Sequence, residues 1–452
     1  MASTTTRPPP AGGTTSNTDC NACGSVAPRP HLTCFECTEG VDVHGNVDSI
    51  QYCTARCRDL AATEHKGDCE RRNVRKQIYR VGELLQSSFY RLQDLNFITQ
   101  FSQTKKEKGT LYYFEVAPWH RKTVFETSPY KFTETANDAH AIMSAFRCDL
   151  ALGTHFELSK KLLAGISKYI EEVGFDGVAG KLKAKLVYPN GRVHDSSCGH
   201  EVLCVQTHAD ESYVIDITGA QYGQYEAVLP LETAVSFYGN KLSAIWPHGH
   251  YSVDLLAETK RHLAGGTGVS PRDRIIPAYL ATLFNKLLIA WEKSHATRVD
   301  TLLKAKQAEY KLLEGTIEKL VVEASLQGRL VLRKVPPIEV FPLIDYADNV
   351  QGALGKPVVT VISKEYTGSR VAKKYRRHVL NTERRERPER WKDVIQPTLA
   401  SNRSINVGVD VESRTRERLS SMKAEHGQAF MTAQMAMMDK AASYWTNEAL
   451  AN

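Results

Sequence analysis

The feature that most constrains this chain is a run of paired ligand residues near its start. Seven of its ten cysteines lie between Cys20 and Cys69, and His65 completes the set. In order they read Cys20-x₂-Cys23, Cys34-x₂-Cys37, Cys53-x₃-Cys57 and His65-x₃-Cys69. Two residues separated by two or three others reach one ion from a tight knuckle or a single helical turn. Thiolate and imidazole donors in tetrahedral sets select zinc, so four consecutive pairs predict two zinc sites with no ligand left over. His31 and His44 lie nearby but lack the paired spacing, and are read as loop residues. With all eight positions supplied by protein, neither ion keeps an open coordination place for an activated water. The predicted role is structural: about fifty residues with few large apolar side chains need coordination to offset their chain entropy.

The stretch YCTARCRDLAATEHKGDC, residues 52–69, resembles the closing half of the MYND-type zinc finger: an aromatic residue, Cys-x₃-Cys, seven residues, then His-Lys-x₂-Cys. The resemblance implies a cross-braced arrangement, in which the first and third pairs share one ion and the second and fourth share the other. One zinc would be held by Cys20, Cys23, Cys53 and Cys57, and the other by Cys34, Cys37, His65 and Cys69. It also implies a function in protein–protein contact, since members of that family carry a groove for proline-rich peptides. This chain departs from the pattern at that groove. Ala62 stands where the family has a tryptophan, Arg58 where a glutamine is common, and fifteen residues separate Cys37 from Cys53. Those changes predict recognition of an acidic segment through the insertion (Val41, Asp42, Asp48, Ile50) and a basic edge at Arg56, Arg58 and Lys66.

The whole chain has 452 residues and 42% hydrophobic content, enough for two or three folded domains. Residues 1–19 are polar and low in complexity and read as a disordered leader before the finger at 20–69. No stretch of eighteen or more apolar residues suggests a membrane span, and reduced cysteines without a secretory signal predict cytoplasm or nucleus. Cys148, Cys198 and Cys204 are expected to be free thiols. Seven thiolates and two divalent ions bring the formal charge from +7 to +4, too modest to mark a nucleic-acid binder. The finger also lacks a basic recognition helix, so another protein is the expected partner, with no membrane and no nucleic acid.

Residues 70–262 are expected to form a mixed α/β domain, built from helices at 73–100, 133–146 and 156–173 and strands at 111–116, 182–188, 201–206 and 213–217. Segments 275–293 and 299–326 read as two long helices, giving a helical hairpin over 274–327 after a glycine-rich loop at 263–273. Lys306 interrupts the apolar stripe of the second. Residues 364–392 read as a basic linker and 405–452 as a C-terminal helical region. The predicted fold is thus a small cross-braced double-zinc finger, a mixed α/β domain and a mainly helical C-terminal region.

Within the middle domain, GHEVL (199–203) followed by YVIDITGAQYG (213–223) resembles the end of the transglutaminase-like, papain-related fold. There a histidine opens one strand and an aspartate on the next orients it, implying those roles for His200 and Asp216. The nucleophile position, in GTHFELS (153–159), holds His155, which cannot replace a thiolate. Cys148 would need a different helix start, and Cys198 lies too close along the chain to face His200. The resemblance therefore implies an inactive core with no catalytic residue. The alternative is a thiol-dependent acyl-transfer enzyme using His200 and Asp216. A methyltransferase reading fails because no glycine-rich cofactor segment precedes Cys20, and His248-Gly249-His250 lacks further metal partners.

Overall fold

The computed structural model describes residues 19–26, 32–116, 128–195, 199–239, 242–255 and 271–334. The leader (1–18), His31, Cys198, the 263–270 loop, the basic segment 364–392 and the helical tail at 405–452 lie outside them. The chain divides into two compact units, Met1–Gln77 and Ile78–Asn452.

The first unit holds two short antiparallel strands, β1 (Leu32–Thr33) and β2 (Gln51–Tyr52), and the start of helix α1 (Ala55–Asn96). The sequence predicts a helix only from residue 73. Its true start at Ala55 was hidden because ligands, not an apolar stripe, set the early periodicity. Thr54 starts the helix by accepting the Cys57 amide on its hydroxyl at 3.1 Å, an N-cap contact.

The second unit contains the rest of α1, whose Ile78, Val81, Leu85, Phe89 and Leu92 are buried at the three- and four-residue spacing of one helix face. Two sheets follow. Strands β3 (Phe101–Glu107), β4 (Thr110–Glu115), β6 (Lys183–Val187) and β7 (Val193–Asp195) form one in the order β3-β4-β6-β7, with β4 and β6 parallel. The other is antiparallel, in the order β10-β9-β8-β5-β11, from β5 (Ser167–Phe175), β8 (His200–Thr207), β9 (Ser212–Ile215), β10 (Val228–Pro230) and β11 (Leu242–Pro247). Between the sheet segments come α2 (Ala136–Ser144), α3 (Cys148–Thr154), α4 (Phe156–Leu163) and α5 (Leu231–Tyr238). The antiparallel sheet buries Val173, Phe175, Val202, Cys204 and Val214 against Tyr222 and Tyr238 in one cluster.

The helix expected over 156–173 is corrected. It stops at Leu163, and Ser167–Phe175 becomes the central strand β5. Ile166, Ile170 and Val173 mimic helical spacing, but Ala164-Gly165 breaks the helix and β5 pairs on both sides, with β8 and β11. Tertiary pairing overrides the local pattern.

Three helices close the described chain: α6 (Pro271–His295), α7 (Val299–Leu302) and α8 (Gln307–Lys334). The long helix expected over 299–326 is interrupted at 303–306, next to Lys306. Arg80 secures the break. Its guanidinium is buried, donates to the Leu303 and Ala305 carbonyls at 2.8 and 2.6 Å, and lies 4.4 Å from the centre of the Tyr310 ring. Those carbonyls are acceptors that an ending helix leaves without intrahelical partners. Among the described residues, no helix is long and apolar enough to cross a membrane.

Four histidines of this unit are held neutral by burial: His140, His155 and His250 down to about 4, and His248 down to about 3. An unfolded histidine takes up its proton near pH 6.5, so between pH 6.5 and 4 the unfolded chain binds more protons and stability is lost as the pH falls. Glu172 acts oppositely, because burial raises its carboxyl to about 8, and burial also raises Glu157 and Glu201, which offsets part of the histidine effect. Trp246 and Trp291 lie among the described residues of this unit, and the first unit's residues 1–77 contain no tryptophan. Urea unfolding followed by tryptophan fluorescence should lose on the order of 1–3 kcal/mol per pH unit between pH 6.5 and 5.5. His155→Asn should flatten that slope, and a pH-independent midpoint would contradict the assignment.

Candidate metal centre and the buried histidine–aspartate pair

The finger is assembled by two knuckles, one β-pair and one helix. At the first knuckle the Gly24 amide donates to the Cys20 carbonyl at 2.8 Å, with Gly24 at φ +70°, a conformation glycine adopts without strain. The Asn21 amide ties this knuckle to Gln51 at 3.0 Å. The second knuckle follows β1, and pairing of Leu32 with Tyr52 sets it beside the end of β2. Cys53 leaves β2 directly, Cys57 sits on the first turn of α1, and His65 and Cys69 follow four residues apart on that helix. Side chains four apart share a helix face.

The structure gathers the eight residues into two groups: Cys20, Cys23, Cys53 and Cys57, and Cys34, Cys37, His65 and Cys69. Within each group every ligand atom lies within 4.8 Å of the others. Cys23 and Cys53 sulfurs are 3.6 Å apart, Cys53 and Cys57 3.5 Å, and Cys34 and Cys69 4.0 Å, while Cys37 Sγ is 3.3 Å from His65 Nε2. A tetrahedron with Zn–S bonds of about 2.3 Å has S–S edges of about 3.8 Å, so the donors fit such an ion. They are far too distant for disulfides, whose sulfurs lie about 2.05 Å apart. Burial and then the neighbouring Cys34 and Cys69 push the Cys37 thiol up, and the adjoining sulfurs of Cys57, Cys20 and Cys23 raise Cys53 to about 12. Thiols this crowded ionise together only around a cation. Burial lowers the His65 pKa and keeps its imidazole neutral, as a ligand must be.

The insertion does not present the surface its sequence suggests. Val41 and Ile50 are buried. Asp42 closes its own turn, accepting the His44 and Asn46 amides at 2.8 and 2.9 Å. Asp48 pairs with Arg72 at 2.6 Å, and Arg72 also holds Asp68 at 2.8 Å. A Cβ at Gly40 would sit 2.8 Å from the Arg72 Cβ, so glycine permits this docking. Outside the insertion Phe35 and Leu60 stand out at 74% and 70% of their full accessibility, and Val26 and, within the insertion, Val47 are exposed as well. Arg58 pairs with Asp59 and lies 4.8 Å from the Phe35 ring centre, while Arg56 and Lys66 are exposed. Sequence reasoning missed Phe35 and Leu60; an apolar residue beside a ligand in so small a module was the available signal.

In the second unit, His200 opens β8 and Asp216 follows β9, with His200 Nε2 2.8 Å from Asp216 Oδ2. Gln221 Nε2 lies 3.3 Å from His200 Nδ1, while its Oε1 accepts the Phe146 amide at 3.3 Å. Because that Gln221 nitrogen can only donate, Nδ1 accepts and the ring proton sits on Nε2, aimed at Asp216. Tyr238 donates its hydroxyl to Asp216, and the Thr218 amide donates at 2.9 Å. Every side chain in this network is buried. Both imidazole nitrogens are thus taken, neither by a sulfur.

Cys148 is the first residue of α3, so the helix start it needed is present. Its thiol, however, donates to Glu201, and adjacent strand residues face opposite sides of a sheet. The sulfur therefore engages the residue beside His200 and not His200 itself. Burial and the Glu201 carboxylate push the thiol well above its ordinary pKa. His155 donates from Nδ1 to the Ala151 carbonyl at 3.1 Å and packs edge-on against Phe89. His248 contacts Ser159 at 2.9 Å and His250 stacks on Trp246. Neither histidine belongs to a metal-ligand group among the described residues.

Compared with known proteins, the chain matches no family model, no curated protein and no solved structure. The cysteine-rich first unit and the α/β second unit define its class: a protein with a candidate double metal centre joined to an α/β region.

The geometry at Cys148 predicts slow chemistry. With a thiol-reactive probe and peptide mapping, Cys148 and Cys204 should be modified at least about tenfold more slowly than free cysteine at neutral pH. Labelling faster than free cysteine, lost in His200→Asn, would show an active thiol.

Proposed function

We propose that this protein is a zinc-dependent interaction adaptor, with a MYND-like finger that binds an acidic, apolar-containing segment of another protein. The observation that carries the reading is the Arg58 guanidinium over the exposed Phe35 ring, on a module that also exposes Leu60, Arg56 and Lys66 and whose ligand sets need no outside donor. Exposed large apolar groups beside charges are a costly arrangement on a small folded unit and mark contact surfaces. Zinc fills two closed tetrahedral sets and supplies folding energy, leaving no coordination place for substrate. Arg58 covers one face of Phe35, so a partner meets a guanidinium already ordered over an aromatic ring. That geometry suits a carboxylate next to an aliphatic or aromatic side chain.

The α/β unit acts in this reading as a folded body without thiol catalysis. Its histidine–aspartate pair is sealed by Gln221, Tyr238 and Thr218, an arrangement that stabilises a fold by satisfying the polar groups of the pair itself.

A titration with short peptides tests the recognition. A peptide of Asp, Glu, Leu and Phe should bind the full-length protein more tightly than a neutral proline-rich peptide, and less so at higher salt. Arg58→Glu and Leu60→Asp should each weaken it about tenfold, as removal of a central contact does. Tighter binding of the neutral proline-rich peptide, unchanged in both variants, would defeat the proposal.

A further inference from the structure

One face of the β3-β4-β6-β7 sheet has a composition that the adaptor reading does not use. Along β4, Leu111 and Tyr113 are buried, so Thr110, Tyr112 and Phe114 share the opposite face, where they are half-buried. The registers place specific neighbours beside them. Tyr112 lies between Lys105 on β3 and Lys185 on β6, Thr110 faces Lys183, and Phe114 lies between Gln103 and Val187. The result is two aromatic rings in a column down an inner strand, with Tyr112 flanked by a lysine on each neighbouring strand.

The charge around this column is lopsided. Residues 101–115 and 181–195 carry seven Lys or Arg against three Asp or Glu. Lys105 pairs with Glu107, Lys185 with Asp195 and Lys106 with Asp138. Lys108, Lys181 and Lys183 have no carboxylate partner among the described residues, and all three are exposed. They gather at one end of the column, because the Lys183 amide donates to the Gly109 carbonyl at 3.0 Å and Lys181 precedes it by two residues. Uncompensated cations beside stacked-ready rings have a recognised complement: a strand of phosphates carrying unpaired bases.

We propose that this face binds single-stranded nucleic acid, with bases stacking on Tyr112 and Phe114 and phosphates meeting Lys108, Lys181 and Lys183. The expectation of no nucleic-acid partner rested on the finger, which lacks a helix for reading a duplex groove, and on the net charge of the whole chain. A sheet platform needs neither. It reads no base edge, so it predicts affinity for single strands with little sequence preference.

The test uses the full-length protein and fluorescent oligonucleotides of about fifteen nucleotides, oligo-dT and oligo-U, whose comparison separates DNA from RNA. Anisotropy titrations over a range of salt should give a log–log slope near −2 for three phosphate contacts, at about 0.7 per contact. The exposed double change K181E/K183E should weaken binding at least about tenfold and flatten the slope by about 1.4. Tyr112→Ala should weaken binding about tenfold while leaving the slope unchanged, because stacking releases no counterions. Tryptophan fluorescence confirms that each variant is folded. Wild-type affinity in both variants would assign any binding to another part of the chain and overturn the proposal. So would preferential binding to phosphatidylserine vesicles with oligonucleotide affinity indifferent to Tyr112→Ala, which would make the face a lipid contact.

Discussion

The finger depends on the interleaving of two ligand sets along one short stretch of chain. The first knuckle borrows its second pair from beyond β2, and the second borrows its own from the next turns of α1. Neither set is local, so an ion bound at either would close a loop that the other set also constrains. The small core around them, Ile50 and Tyr52 with Cys20, Cys37 and Cys69, is itself made largely of ligands. Apolar burial on that scale does not hold fifty residues against their chain entropy, and coordination has to supply most of the difference. The Arg72 contacts to Asp48 and Asp68 then fasten the insertion to the helix.

The second unit shows how a familiar constellation can carry a structural role. His200 and Asp216 stand at catalytic distance, and a cysteine opens a nearby helix, yet the sulfur faces Glu201. Gln221 fills the imidazole nitrogen that a nucleophile would use. Phe146, two residues before Cys148, sits at φ 60°, a backbone conformation rare for a bulky residue, and its amide joins the same network. The polar groups are satisfied by each other, and that satisfaction specifies the register of β8 against β9 and of Gln221 against the α2–α3 turn.

Much of this was legible in the residues, and the failures have physical causes. Ligand spacing is a covalent-geometry signal, so the four donor pairs could be read without knowing the fold, whereas their grouping into two sets came from the resemblance and is the grouping the structure shows. The apolar face from Ile78 to Leu92 was equally plain. The segment 167–175 misled, because its later half, residues 171–175, is buried on both faces and so shows no alternating pattern, and its apolar residues fell at helical intervals. Strand β3 was invisible for the opposite reason: its FSQTKKE sequence is polar and exposed along most of its length. The burial of Val41 and Ile50 rests on partners far along the chain, since Ile50 packs among Cys20, Cys37, Tyr52 and Cys69 and the Val41 amide donates to the Arg72 carbonyl.

The central claim is that two zinc ions brace the finger jointly. Zinc content, measured by elemental analysis on purified wild-type protein and on Cys53→Ala, tests it most directly. The account predicts two equivalents in the wild type and loss of both ions in the variant, because removing one ligand of an interleaved pair releases the other site as well. Fully folded wild-type protein with one equivalent or fewer, or a Cys53→Ala protein that keeps one ion firmly bound, would contradict it.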